Sequence, residues 1–217
     1  MVRNSTLREM LLIANYSLSK RLMNLLGDEL IAGGPSWIDD DRFDVVAKAA
    51  RDATPETVRS MLQSVLVDRF RLAFHREARP LRAYALKASD HVKLQRSSLG
   101  KDSGCGPGEG VPGLIHRVCH NMTMAELAAA LPGMASYYVD LPVVNRSGLD
   151  GAYDFRLDWA PIRRAEDDVG GPPVISDAGG ATIFDAVGRL GLKLEEGRYP
   201  VIVVVIDRVE KPVEQQP

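Results

Sequence analysis

Apolar positions fall at helical spacing in four stretches of the chain and at alternating or β-branched spacing in most of what lies between. Ser5 or Thr6, with Glu9 following, opens a helix whose inner face is Leu7, Met10, Leu11 and Ala14, and Gly27 is expected to end that helical region. After the turn cluster Gly33-Gly34-Pro35-Ser36-Trp37, the run from Arg42 to Lys48 mixes alternation with β-branched residues and predicts a strand. Thr54-Pro55-Glu56 starts another helix, with proline at the position where a missing N–H costs nothing, and Val58, Met61, Leu62, Val65 and Leu66 form its apolar face. Leu72, Phe74 and Arg76 then alternate with Ala73, His75 and Glu77, and Pro80 leads into Leu81 to Lys87, which predicts a β-hairpin turning at the proline.

Residues 96 to 118 are rich in Ser, Gly and Pro without a period, and predict a long loop with a boundary near residue 100. Beyond it, Thr123 caps a helix carrying Met124, Leu127 and Leu131, and strands are predicted for Tyr137 to Val144 and Tyr153 to Trp159. Residues 161 to 180 predict a second loop. Thr182 then caps a helix with Ile183, Ala186, Val187 and Leu190, followed by a hairpin of Leu192-Lys193-Leu194 with Val201 to Val209 and a polar tail.

The two halves look alike. Asn4, Thr6 and Glu9 recur as Asn121, Thr123 and Glu126 at an offset of 117, and Arg42-Phe43-Asp44-Val45 resembles Ala152-Tyr153-Asp154-Phe155. Val67, Arg69, Phe70, Leu72, Phe74, Pro80 and Leu86 match Val187, Arg189, Leu190, Leu192, Leu194, Pro200 and Ile206 at an offset of 120. Capping residues recur by chance in any helix start, but three matches in the same order point to duplication. The expected fold is α+β, with two tandem helix-strand-helix-hairpin units over residues 1–95 and 121–212 related by a pseudo-twofold axis and joined by a loop at 96–120. Mainly antiparallel sheet would carry helices on one face.

Composition adds exclusions. With 27 Lys and Arg against 29 Asp and Glu, the formal charge is −2, so no cationic surplus exists to attract a phosphate backbone, and nucleic acid is not an expected partner. The longest apolar run, Val201 to Ile206, is far short of the roughly 20 residues of a membrane-crossing helix. Met1 to Leu12 carries Arg3, Arg8 and Glu9 and does not read as a signal peptide. Cys105 and Cys119 flank a glycine- and proline-rich stretch, and form either a disulfide in an oxidising compartment or two free thiols in a reducing one.

Chemistry is sparse. No Gly-x-Ser-x-Gly elbow surrounds Ser36 or Ser147, and no phosphate-binding loop lies between a strand and a helix. His116 and His120 flank Cys119 and could form a His-Cys-His metal site, although loop histidines without a carboxylate nearby are usually solvated. His75 is expected on the strand face away from the core, a general base only if a cleft lies there. Asp39, Asp40 and Asp41 place three hard oxygen ligands beside the Trp37 turn, which suits Ca²⁺ but lacks EF-hand spacing and equally reads as a charged turn. Glu166-Asp167-Asp168 reads as a solvated loop, Trp37 and Trp159 as packing residues, and neither cysteine adjoins the basic helix start a nucleophile would need.

Gly33-Gly34-Pro35-Ser36-Trp37-Ile38-Asp39, Arg42-Phe43-Asp44-Val45-Val46-Ala47-Lys48-Ala49, Asp68-Arg69-Phe70-Arg71-Leu72, Gly148-Leu149-Asp150-Gly151-Ala152-Tyr153-Asp154-Phe155 and Val205-Ile206-Asp207-Arg208-Val209-Glu210-Lys211-Pro212 together resemble a large uncharacterised family expanded in soil Acidobacteria of the Solibacter type. The resemblance extends over nearly the whole chain. Members of that family usually begin with a secretion signal and a further strand, which implies an exported or periplasmic full-length protein and a chain truncated at its start. It brings no agreed catalytic residues. A soil-metagenome protein resembling the family is associated with calcium-dependent hydrolysis of acyl-homoserine lactones. The implied activity is therefore a lactone hydrolase in quorum quenching, with calcium as cofactor and Asp39, Asp40 and Asp41 as candidate ligands. The capped helix followed by strands also resembles the small N-terminal domains of secretins and receptors, which implies a non-catalytic envelope module binding a protein partner.

Overall fold

The structure is a computed structural model and describes residues 2–46, 48, 50, 53–98, 102–165, 171–175 and 181–212. In chain order the elements are β1 (Val2–Thr6), α1 (Leu7–Asn15), α2 (Lys20–Leu30), β2 (Ile31–Ala32), α3 (Trp37–Asp40), β3 (Arg42–Val45), α4 (Pro55–Phe70), β4 (Ala73–Ala88) and β5 (Gln95–Arg96). They continue with β6 (Gly104–Pro107), β7 (Ile115–Thr123), α5 (Met124–Met134), β8 (Val143–Asn145), β9 (Ala152–Trp159), β10 (Ile162–Ala165), β11 (Gly171–Ile175), α6 (Ile183–Arg189) and β12 (Leu192–Arg208). This is an α+β chain with mostly antiparallel sheet. It forms two compact units, one of residues Met1–Leu81 with Pro200–Pro217, the other of Arg82–Tyr199. The expected segments 1–95 and 121–212 follow the chain, whereas the compact units divide inside β4 and inside β12.

The first unit gathers around α1, which touches α2, α3 and α4. Leu7, Met10 and Leu11 are fully buried at helical spacing, with Leu22, Ile38 and Leu66 equally buried on the neighbouring helices. The helix starts where it does because the Thr6 side chain accepts from the Glu9 N–H while the Glu9 carboxylate accepts from the Thr6 N–H. Just before it, Asn4 adopts φ +49° and its N–H donates to Asp44 Oδ1 at 2.7 Å, which ties β1 to its antiparallel partner β3. In the second unit the same local frame recurs. Thr123 and Glu126 form a capping box, Asn121 adopts φ +48°, and its N–H donates to Asp154 Oδ1 at 2.8 Å. The motif matches at Asn4 and Asn121 and at Asp44 and Asp154 therefore mark one hydrogen-bonded device used twice.

The second unit has a four-stranded sheet of order β5-β9-β7-β6, all antiparallel. Its core joins the inner face of that sheet to α5 and α6 through Leu127, Leu131, Leu157, Trp159, Ile183 and Val187. In the long strands, β12 runs parallel to β2 where Val204 faces Ile31, and β4 runs parallel to β8 where Tyr84 faces Val143.

Several local expectations change. Gly27 lies inside α2, not at its end: a side chain there would meet Leu12 Cδ1 at 3.3 Å, so the glycine lets α1 and α2 approach. The two proline hairpins are single strands, because Pro80 and Pro200 keep an extended φ and remove only one ladder donor each. Cross-strand pairs hold β4 against β12: His75 with Asp207 in the first unit, and Arg82 with Glu196 and Lys87 with Glu195 in the second. Val58 is 47% exposed and falls off the buried face of α4. The expected strand at 137–144 shrinks to β8, β3 ends at Val45, the 96–118 loop contains β5, β6 and the start of β7, and the 161–180 loop contains β10 paired with β11. Glu166-Asp167-Asp168 lies outside the described residues.

Gly191 follows α6 with φ +76°, and a Cβ there would sit 2.0 Å from the His91 carbonyl oxygen. Gly188, inside α6, has open space around the same atom. Gly191→Ala should therefore destabilise the protein by about 3 kcal/mol or more, while Gly188→Ala should stabilise it by about 0.5–1 kcal/mol, both measured by urea unfolding.

Candidate functional site

Strand β6 is only four residues long, and its register places Cys105 directly opposite Cys119 on β7. The two are joined as a disulfide, and no free cysteine remains. Of the two readings left open by the sequence, the bridge is the one present. A thiolate nucleophile and a His-Cys-His metal site both lose the sulfur they require.

His116, three residues before Cys119, is the most tightly held histidine, with a side chain 9% exposed. Its Nδ1 lies 2.5 Å from Asp158 Oδ1 on β9, directly across the strand pair, and its Nε2 lies 2.9 Å from the Val111 carbonyl oxygen. Both partners are acceptors, and the doubly protonated ring is the form that donates to both at once; Arg156 Nη2 also lies 3.0 Å from Nδ1. The Asp158 hydrogen bond, helped by Val111, raises the His116 pKa above its ordinary value against burial and the nearby Arg156. Burial alone would raise Asp158, but hydrogen bonds from His116 and Arg156 outweigh it and hold that carboxyl below the usual carboxylate range. Arg156 completes the cluster. Its Nε donates to both Asp158 oxygens at 2.8 and 2.9 Å, and its Nη2 donates to the Glu109 carbonyl. A His-Asp pair resembles half of a catalytic triad, but here the nitrogen that would act as base is occupied by a backbone carbonyl.

The acidic turn diverges. Asp39 takes a two-toothed ion pair from Arg8, whose Nη1 also reaches the Ile31 carbonyl, and that hydrogen bond to Asp39 raises the Arg8 pKa. Asp41 Oδ2 meets Lys211 Nζ at 2.7 Å, and Asp40 is exposed. Among the described residues no group of three or more His, Cys, Asp or Glu is placed to hold a metal ion. His75 stands on the surface of β4, 51% exposed, with Nδ1 2.8 Å from Asp207. His120, 49% exposed, has Nδ1 4.0 Å from Asp154, whereas His116 pairs with Asp158.

The second unit also carries an apolar cleft of about 270 Å³, lined by Ile115, Met134, Ala135, Ser136, Tyr137, Tyr138, Trp159, Pro161 and Ile162. Ile115 and Trp159 are opposed across β7 and β9, and the next pair along the strands is His116 and Asp158. Alternation puts those successive pairs on opposite faces of the sheet, so the cleft lies on the helix side and the histidine cluster on the other. Tyr138 is fixed by donating to the Ala160 carbonyl at 2.9 Å, and burial raises its hydroxyl pKa. Tyr137 is 50% exposed. Among the described residues no carboxylate or imidazole lines the cleft. A shallower groove in the first unit, about 420 Å³ and lined in part by Ile13, Tyr16, Leu18 and Val58, is floored by Tyr16. The Tyr16 hydroxyl donates to the Leu30 and Ile202 carbonyls, and burial pushes its pKa to about 12.

A family model described as "Protein of unknown function (DUF3738)" matches residues 12–209, nearly the whole chain. The chain belongs to the DUF3738 family. No curated protein and no solved structure matches it.

In this DUF3738 chain the pairing that the sequence leaves unmarked is His116 with Asp158, 42 residues apart. A loop was expected at 116, and only the recognition that 115–123 is a strand opposite 152–159 would have put the two side by side. Trp159 was expected as packing, and it is 1% exposed as well as lining the cleft.

The bridge spans 14 residues of sequence, a loop for which a disulfide contributes about 3 kcal/mol. Replacing both Cys105 and Cys119 by Ser should lower the urea midpoint accordingly. Dithiothreitol should lower the wild-type midpoint by a similar amount and leave the double variant unchanged.

Proposed function

We propose that this chain is a non-catalytic binding module of an exported protein and that it takes an acyl chain, or an apolar tail of similar size, in the cleft of its second unit. The cleft carries the reading. Its volume of about 270 Å³ falls just below the roughly 300 Å³ at which small-molecule pockets begin, and its walls are aliphatic and aromatic with a half-exposed tyrosine at the edge. Such a site favours a slender apolar group over a polar metabolite. The Cys105–Cys119 bridge supports an oxidising compartment, and hence an envelope or extracellular setting. The expected bacterial source belongs to this same proposal.

Titrating the protein with decanoate while following Trp159 emission, in a Trp37→Phe background, should give saturable binding. Tyr137→Ala should weaken it about fivefold, equivalent to about 1 kcal/mol. Absence of any saturable change in the parent would reject the module as an acyl binder.

A second reading is favoured by the same cleft, since the acyl tail of an acyl-homoserine lactone is the group it suits. In that reading the chain opens the lactone ring, and the calcium that goes with the reading would supply a Lewis acid; Asp39, Asp40 and Asp41 would hold it only after Asp39 leaves Arg8 and Asp41 leaves Lys211. Incubation of N-decanoyl homoserine lactone with the protein, with calcium or with chelator, separates the two readings. Ring opening confined to the calcium tube supports hydrolysis; intact lactone in both tubes rejects it and leaves binding in place.

A further inference from the structure

The segment from Gly108 to Val111 crosses the outer face of the β6-β7-β9 sheet and is fastened from three sides. Gly108 N–H donates to the His116 carbonyl at 3.1 Å, Arg156 donates to the Glu109 carbonyl, and His116 Nε2 donates to the Val111 carbonyl. The fit is close. A side chain at Gly110 would lie 2.4 Å from His116 Cε1 and 2.5 Å from Arg156 Nη2, and one at Gly108 would lie 2.8 Å from Val118 Cγ2.

We propose that the proton on His116 is a clasp for this segment and for the adjoining ends of β7 and β9, so that the cleft built on those strand ends loosens as the pH rises. The statement about the cleft rests on the binding function proposed above; the statement about the clasp does not. Charged groups facing the ring are Asp158 and Arg156 from β9, and the covering segment contributes Glu109 through its backbone. Strand β6 adds no titrating side chain, since Cys105 is bridged.

Removing the proton changes the local balance in a defined way. The neutral ring keeps the proton on Nδ1, facing the Asp158 carboxylate 2.5 Å away, so Nε2 presents a lone pair to the Val111 carbonyl oxygen and the segment loses that hydrogen bond. Two acceptors then face each other at Val111, which loosens the segment, while Asp158 keeps its hydrogen bonds from Arg156. The next residue pair, Ile115 with Trp159, forms a wall of the cleft, so a shift at His116 and Asp158 is transmitted one residue along the same strands. Because folding raises the His116 pKa, the clasp is complete below about pH 6.5, the ordinary histidine value, and is lost as pH rises through the higher value in the folded protein.

The test uses the full chain. The His116 Cε1–H resonance, assigned by its loss in His116→Gln, is titrated by NMR, and amide exchange at 108–114 is followed across the same range after correction for intrinsic rates. Expected are a His116 midpoint above 6.5 and exchange at 108–114 about tenfold faster above that midpoint. Asp158→Asn should bring the midpoint down and move the exchange transition with it. A midpoint at or below 6.5, or pH-independent exchange, would overturn the clasp; if Asp158→Asn does not fold, the wild-type titration still decides. Decanoate affinity should fall about threefold or more through the same window. Affinity that stays constant while exchange accelerates would overturn the link to the cleft. Decanoate that binds at no pH would remove the binding function alone, and the titration and exchange would still decide the clasp.

Discussion

Antiparallel pairing of β7 with β9 is the constraint on which the second unit depends. It fixes which residues face each other across the ladder: Ile115 with Trp159, His116 with Asp158, Cys119 with Phe155. Strand periodicity then sorts successive pairs onto opposite faces, one joining the helices and the cleft, the other carrying the ion cluster. A one-residue slip would exchange the faces, placing an ion cluster in the core and a tryptophan in water. The bridge from Cys105 to Cys119 and the device at Asn121 with Asp154 both act on these same strands. Between them lies the bulge, a register shift between Cys119 and Met122, and the corresponding shift in β1 falls between Val2 and Ser5.

Much of the fold was legible because it rests on local chemistry. Helix starts at Thr6, Thr54, Thr123 and Thr182 were all readable, since a capping side chain and its N–H partner lie within three residues of each other. The α+β class followed from periodicity alone. Less legible was anything decided by partners far apart in sequence. Pro80 and Pro200 look like turns in isolation, and only the pairing of β4 with β12 makes extended chain the better solution. Gly27 looks like a helix end, and only the packing of Leu12 against it explains a glycine within α2.

The candidate site was legible to a smaller degree, for the same reason. Asp39, Asp40 and Asp41 are adjacent in sequence, which suggested a shared ligand, but adjacent side chains on a single helical turn point apart, and Arg8 and Lys211 take two of them separately. His116 and Asp158 are distant in sequence and meet by strand register. Arg71 and Gly191 make the same point about the backbone: both leave a helix in the left-handed region, one at φ +47° and the other at +76°, and the motif match between them shows only in the apolar residues on either side.

The division of the chain inside its two longest strands has an architectural consequence. The second unit is one continuous stretch, Arg82 to Tyr199, whereas the first is assembled from two stretches that flank it in sequence, Met1–Leu81 and Pro200–Pro217. During synthesis the amino-terminal eighty residues would therefore wait, with β2 lacking its parallel neighbour, until the last residues of β12 had been made. A nascent or clipped chain ending before Pro200 would retain a finished insert beside an unfinished host, with an open strand edge able to recruit the same segment from another molecule.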